Sequence, residues 1–343
     1  MSPRVTWQVA ARTTYESFLQ GRLDIRANGG NAYEFEAMRV LARNFDFQLD
    51  PLAVRDRGLG IPRYWYQLHR FRPVCDVLIE DSQVVAWGPV GRVPCEIAMI
   101  HHIDRTLERG SPKWRWYFAR LVRRLSAMST VVTVSEFWRR RLEESGCRRV
   151  EVIYNSFDLA EFKISQDEAV AVARRLGLPL DRPLVYIGNS GRGKGAAEVF
   201  EALRSKPYTL FMTGSAADPG IPVPCFRLER RDYLCMLKAS SAVLTMSHML
   251  EGWNRVAHEA MLCGTPVVGS GSGGMRELLT GGGQVVQERF EGLAEVLETV
   301  IEFRSALGRR GQEHVRQFDL DYFERRWVGV VESVCSVKGL GRP

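Results

Sequence analysis

The stretch VYIGNSGRGKGAAEVFEAL, Val185 to Leu203, limits what this chain can fold into more than any other. A short apolar run gives way to a turn with four glycines and then to residues at helical spacing. Strand, glycine turn and helix in that order form the phosphate cradle of parallel α/β sheets, where the helix N-terminus offers free N–H groups to an anion. Gly188, Gly193 and Lys194 stand at the P-loop spacing G-x-x-x-x-G-K. A P-loop continues with Ser or Thr, whose hydroxyl ligates magnesium. Gly195 has no side chain to offer, so a magnesium-dependent ATPase is disfavoured.

The rest of the chain repeats the alternation. Strand candidates in the first half are Val74–Ile79, Ile97–Ile100, Val131–Val134 and Val150–Tyr154, and a helix from Asn31 to Ala42 follows a turn at Gly29-Gly30. In the second half come strands Leu184–Ile187, Thr209–Thr213 (ending at Gly214), Ala242–Met246 and Pro266–Gly269, with a helix near Arg255–Leu262. Two α/β domains with parallel sheets follow, and 343 residues suit two domains. Ligands of such sheets sit beyond the carboxyl ends of the strands, where the glycine turns fall. No apolar run is long enough to cross a bilayer, and the start MSPRVTWQVAARTTYESF lacks the apolar core of a secretory signal. Seven cysteines without a C-x-x-C pair argue against a disulfide framework and a zinc site, and fit a cytoplasmic setting.

The net charge of +7 is uneven: residues 1–155 carry 24 Lys+Arg against 17 Asp+Glu, and the remainder is neutral. A basic half suits an anionic partner, such as a phosphorylated acceptor or an anionic membrane surface at the inner face of the membrane. In KWRWYFARLVRRL, Trp114, Tyr117, Phe118, Leu121, Val122 and Leu125 form one apolar stripe. Lys113, Trp116, Arg120, Arg123 and Arg124 lie opposite. A core-packed helix with a solvated basic face is the favoured reading, and a helix resting on an anionic membrane is the rival. Nucleic-acid binding has net charge alone behind it, without a recognised module, and is not expected.

The chemistry concentrates in SHMLEGWNRVAHEAMLCGTPVVGSGSGGMREL, Ser247 to Leu278. Glu251 precedes a turn at Gly252, and Glu259, with seven residues between them, lies in the helix that follows. The helix N-terminus between them can hold phosphate without a metal. Each carboxylate can accept two hydroxyl hydrogen bonds. Acids flanking a phosphate site suit a ligand with hydroxyls on both sides of a diphosphate, as in a nucleotide sugar.

E-x7-E, the following AMLCGTPVV and the Gly-Gly turn before Glu277 resemble the donor domain of family-4 glycosyltransferases, which are retaining enzymes of the GT-B fold. The resemblance covers most of the chain. VVTVSEFWRRRLEESGCRRVEVIYNSFDLAEF resembles the end of the first domain and its connector, NGGNAYEFEAMRVLA the early glycine loop and first helix, and IHHID the acceptor-domain histidine segment. RQFDLDYFERRWVGVVESV resembles the closing helix. It implies two Rossmann-like domains whose parallel sheets face across a cleft: residues 1–160 for the acceptor, 161–320 for the nucleotide-sugar donor, and 321–343 a closing helix that crosses back onto the first domain. It also implies roles. Lys194 and Arg192 would hold the diphosphate, and Glu251 the donor sugar with the backbone N–H groups of Trp253 and Asn254. Glu259 would bind the ribose diol. Gly188, Asn189 and Gly214 would line the donor site, with Gly29 and Gly30 approaching from the first domain. His101 would sit on the acceptor side near the reacting carbon, beside His102 and Asp104. Asn189 departs from the pattern, where Arg usually follows the glycine; Ser156 and Met246 depart where Gly and Pro are common.

The implied reaction moves a sugar from a UDP- or GDP-sugar to a hydroxyl of a saccharide, lipid-linked or small-molecule acceptor, as in polysaccharide biosynthesis. No cofactor and no metal are expected, and Asp319 and Asp321 are read as helix-capping acids rather than a metal-binding D-x-D. The rivals are a non-catalytic GT-B protein that binds a nucleotide or partner, and a nucleotide-sugar epimerase or hydrolase. A dinucleotide dehydrogenase is poorly supported, because no G-x-G-x-x-G follows the first strand.

Overall fold

The structure, a computed structural model, describes residues 2–23, 29–55, 60–70, 72–103, 111–191, 193–214 and 220–337. It divides into two compact units, Met1–Ser156 with Leu320–Pro343, and Phe157–Asp319.

The first unit runs β1 Arg4–Gln8, α1 Arg12–Leu19, α2 Gly29–Asn44, β2 Asp46–Leu49, α3 Ile61–Arg70, β3 Val77–Asp81, α4 Ser82–Trp87, β4 Cys95–Ile100, α5 Pro112–Leu125, β5 Thr130–Thr133, α6 Glu136–Glu144 and β6 Val150–Val152. Its six strands pair in parallel in the order β2-β1-β3-β4-β5-β6. β3 and β4 are buried along their whole length, as strands covered by helices on both faces must be. The second unit runs α7 Gln166–Arg175, β7 Leu184–Asn189, α8 Ala196–Leu203, β8 Thr209–Thr213, β9 Cys225–Phe226, α9 Arg230–Ala239, β10 Ala242–Thr245, α10 Arg255–Leu262, β11 Val267–Gly269, α11 Met275–Gly281, β12 Val285–Val286, α12 Leu293–Glu302 and α13 Arg304–Val315. Its strands are also parallel, in the order β12-β11-β10-β7-β8-β9. Val185, Ile187, Leu244 and Val268 from its strands share a core with Val199 and Leu203 of α8.

The last helix, α14 Leu320–Val337, belongs to the first unit. Its Trp327 lies 5.5 Å from Trp7 of β1, and its Phe323 meets Tyr33 of α2 edge-on at 5.0 Å. Trp7, Phe323 and Trp327 are fully buried, and large aromatic rings dominate the energetics of such contacts. Asp319 stands immediately before this helix and Asp321 in its first turn.

Several expectations need correction. Gly29 and Gly30 are not a turn at a strand end: they open α2, and α1 intervenes between β1 and them. β3 starts at Val77 rather than Val74, which is 75% exposed, because pairing with β1 begins at Val77. The basic face of α5 is not wholly solvated. Nε of Arg120 and of Arg124 donate to the carbonyls of Ala86 and Val85 at 2.6 Å, satisfying the end of α4.

Candidate active site

The glycine turn at the end of β7 is shaped by its backbone. Gly188, Gly193 and Gly195 have φ of +115°, +79° and +75°, a region costly for any other residue. Gly195 is also crowded. A Cβ there would overlap the carbonyl oxygen of Met246, so no side chain can stand where a P-loop carries Ser or Thr. The turn is tied to the segment after β10: His248 N donates to Gly193 O at 2.9 Å, and Ser247 Oγ to the same oxygen at 3.3 Å. Asn189 points its Oδ1 at Gly191 N, 2.8 Å away, closing a local turn within the loop. Gly214, at the end of β8, leaves room for Ser190, whose Oγ a Cβ would overlap. Arg192 lies outside the described residues.

That tie brings Lys194 to Glu251. Its Nζ donates to Glu251 Oε1 at 2.7 Å, with side-chain exposures of 34% and 10%. Glu251 itself is held by backbone, pairing with Gly273 in an isolated parallel bridge and accepting Gly274 N at 2.9 Å. A Cβ at Gly273 would overlap the Glu251 carbonyl oxygen, which explains a glycine in the GSGG turn. The lysine and the first acid therefore come from loops after two neighbouring strands, β7 and β10.

Asn254 starts α10. It is the one non-glycine residue with positive φ among those described, at +79°, and its side chain accepts Ala257 N at 2.9 Å. Asn tolerates this conformation because its short side chain bonds locally. Strain of this kind is stored at functional sites. One turn on, Glu259 is buried at 4% exposure, yet both its oxygens are engaged. Arg230 Nη1 donates to Oε1 at 2.6 Å and the Tyr233 hydroxyl to Oε2 at 3.0 Å. Arg230 is anchored in turn on Glu161 at 2.9 Å and packs over the Phe157 and Phe162 rings. Burial alone would lower the Arg230 pKa, but the charges of Glu259 and Glu161 and their hydrogen bonds raise it. Burial, then the Glu259 charge, pushes the Tyr233 hydroxyl well up. Beside them Trp253 Nε1 donates to Nδ1 of His258 at 3.1 Å. His258 is fully buried among Trp253, Phe157 and Phe318, and burial, followed by the Arg255 charge, lowers its pKa to about 3.

In the first unit, His101 follows the end of β4, and its Nε2 lies 3.2 Å from Oε1 of buried Glu34 on α2. Tyr33 meets the His101 ring edge-on at 5.1 Å. Thr14 Oγ1 approaches the other Glu34 oxygen at 3.5 Å and accepts from Asn31 Nδ2 at 2.7 Å. Asp81, at the end of β3, accepts from Ala10 N at 2.6 Å and from the first N–H groups of α4. Burial, then the Glu34 charge, pushes its carboxyl up. His102 is half-buried, 6.5 Å from the Trp138 ring, and Asp104 lies outside the described residues.

Sequence reasoning singled out Lys194, Glu251, Asn254 and Glu259, which the second unit gathers at the ends of β7 and β10 and the start of α10. It missed Arg230 and Tyr233, which hold Glu259, and Glu34, which meets His101. The pair RRDY carried a weak signal: Arg230 and Tyr233 stand three apart, on one helix face.

Comparison with known proteins bears on both units. The family model described as Glycosyltransferase Family 4 matches residues 30–161, and the one described as Glycosyl transferases group 1 matches residues 225–314. A D-inositol 3-phosphate glycosyltransferase of Xylanimonas cellulosilytica is 28% identical over 163 residues, 40% of this chain and 39% of the relative. A lipid-A-disaccharide synthase of Pseudomonas paraeruginosa is 28% identical over 191 residues, 55% of this chain and 48% of the relative. The chain thus spans less than half the length of these curated relatives. Among solved structures, sucrose-phosphate synthase of Thermosynechococcus elongatus superimposes with a TM-score of 0.75 at 16% identity, covering 98% of this chain and 100% of that one. Anabaena HepE in complex with UDP-glucose gives 0.70 at 19% identity, covering 96% and 100%. At these identities the structures establish the fold.

Proposed function

Since the chain belongs to the family-4 type of GT-B glycosyltransferases, we propose that it moves a sugar from a nucleoside diphosphate to an acceptor hydroxyl, with retention and without a metal. The observation that carries this reading is the Lys194–Glu251 contact at 2.7 Å, formed where a glycine-lined turn meets the E-x7-E segment. A lysine ammonium set among backbone N–H groups suits a diphosphate. As the glycosidic bond breaks, negative charge grows on the leaving phosphate, and Lys194 stabilises it in place of a divalent cation. Glu251, released from Lys194, accepts hydroxyls of the sugar. Glu259 keeps an acceptor position on each oxygen for the ribose diol, since a carboxylate has about four lone-pair sites and two are taken.

In a front-face displacement the acceptor hydroxyl attacks on the side from which the diphosphate leaves. Its proton passes to the leaving phosphate, so no side-chain base is required. The acceptor falls to the first unit, with His101 among its contacts. UDP-sugars are the first donors to test, supported by the HepE complexes with UDP and UDP-glucose. The acceptor hydroxyl belongs to a saccharide, lipid-linked or small-molecule acceptor, a breadth in keeping with relatives named for D-inositol 3-phosphate and for the lipid A disaccharide.

The test is donor turnover with EDTA present, followed by proton NMR of the product's anomeric centre. An α-linked product from an α-linked donor, undiminished by EDTA, supports the proposal. An inverted product, or turnover abolished by EDTA, overturns it. A non-catalytic binding protein is the second reading, favoured by Asn189 being turned into the loop where an arginine would face phosphate. Nucleotide binding without turnover of any UDP- or GDP-sugar would select it.

A further inference from the structure

Two helices of the first unit, α3 and α5, both pack on α4. Neither contains an Asp or Glu, and together they carry seven Lys and Arg, equal to the net charge of the whole chain. They also carry the exposed aromatic rings of this unit among the described residues: Trp65 at 42%, Tyr66 at 56%, Trp114 at 37% and Trp116 at 55%. The two helices form one patch. Trp65 stacks on His69 at 3.8 Å, and His69 lies in the field of Arg120 and Arg124. Arg120 in turn lies 5.8 Å over Trp116.

The inner face of α5 is spoken for, with Phe118, Leu121 and Leu125 in the core. The same helix presents exposed Lys113, Arg115 and Arg123 along with the two tryptophans. Indole and phenol rings with one wet edge sit preferentially at the headgroup level of a bilayer, and cations are drawn to anionic lipid. A sulfated or phosphorylated polymer without bases would use the cations but not the four rings, and no nucleic-acid-binding module is recognised in the sequence. No helix among the described residues is long and apolar enough to cross a membrane, so contact through this patch lies in the interface plane.

We propose that the α3–α5 face docks the protein on the anionic surface of a phospholipid bilayer. The donor reading is not needed for it, because docking is measured without nucleotide; a chain that bound no donor would still test it.

The experiment is co-sedimentation of the full chain with phosphatidylcholine vesicles, with and without phosphatidylglycerol, at several salt concentrations. Wild type should partition onto the anionic vesicles at least tenfold better, with a blue shift of tryptophan fluorescence. Each surface cation contributes on the order of fivefold, so Lys113→Glu with Arg115→Glu and Arg123→Glu should lose more than a hundredfold. Trp65→Ser with Trp116→Ser should weaken binding about tenfold at unchanged charge. Circular dichroism melts of both variants confirm folding. Absence of binding to anionic vesicles even at low salt overturns the proposal. So does binding that the tryptophan variant leaves unchanged and dextran sulfate matches, which would assign the patch to a soluble polyanion.

Discussion

The corner around Lys194 in the second unit and the corner around His101 in the first are built on opposite electrostatic plans. In the second unit each acid of the corner has a cation against it: Lys194 on Glu251, and Arg230 on both Glu259 and Glu161. The conformation there is held by backbone, with Gly195 under the Met246 carbonyl and Gly273 against that of Glu251. In the first unit acids crowd together. Glu34 and Asp81 are both buried, and Asp81 is pushed up by burial and by the Glu34 charge. A corner that keeps two acids this close repels an anion. A corner with an exchangeable lysine beside a helix N-terminus attracts one. The difference agrees with the proposed reading, in which the diphosphate falls to the second unit and the acceptor to the first.

The comparison can be broken most directly at Gly195. Gly195→Ser restores the P-loop consensus on paper. With φ at +75° and the Met246 carbonyl in the way, it should cost about 3 kcal/mol or more and abolish nucleotide binding rather than create magnesium-dependent ATP binding. Thermal melts and ATP titration with magnesium check both halves; gain of ATP binding would return the loop to the P-loop class. Lys194→Ala comes next. It should slow sugar transfer on the order of a hundredfold or more, with little change in melting temperature, because the loss falls on transition-state charge. An equal loss of stability would make Lys194 merely structural.

The clamp on Glu259 gives smaller effects. Arg230→Met strips one partner from a buried carboxylate and should cost about 1–3 kcal/mol of stability. It should also erode the preference for a ribonucleoside diphosphate over its 2′-deoxy form. Arg231→Ala, on the same helix but bonded to Glu168, is the control that should leave that preference intact. Tyr233→Phe removes one hydrogen bond, about 1 kcal/mol, and should shift the preference in the same direction.

His258 sharpens the comparison through pH. Its native pKa of about 3 lies below that of an unfolded histidine, so between the two the unfolded chain holds the extra proton. Stability from this group is complete above about pH 6.5 and falls with acidification toward pH 3, by up to about 1.4 kcal/mol per unit. Urea unfolding across pH 4–7 (on the order of half-unit steps) should show this slope, and it should flatten by one proton in His258→Gln.

What the sequence disclosed follows the same divide. The bounds Arg255–Leu262 and Thr209–Thr213 were readable because glycine turns and periodicity are local signals. The glycine turn that carries Lys194 and Gly195 was readable between a strand and a helix, though the Met246 carbonyl that excludes a side chain is remote in sequence. Arg230 was barely readable: its bond to Glu259 joins two helices, and the three-residue spacing to Tyr233 in ERRDYL is no more than a weak signal. Glu34 read as an ordinary helix carboxylate, and only folding buries it beneath His101. β1 escaped notice because Arg4–Gln8 is short, with burial supplied by strands pairing from residues 46 and 77 onward. Local backbone devices are written in adjacent residues, whereas side-chain networks are assembled by topology.

The central claim is that the second unit binds a nucleoside diphosphate without a metal, through Lys194 and Glu259. The most direct test is calorimetric titration of UDP, GDP, ADP and ATP into wild type and Glu259→Ala, each with magnesium and with EDTA. The account predicts that UDP or GDP binds equally well in EDTA and at least tenfold more weakly to Glu259→Ala. Magnesium-dependent ATP binding indifferent to Glu259, or no binding of any of the four, would contradict it.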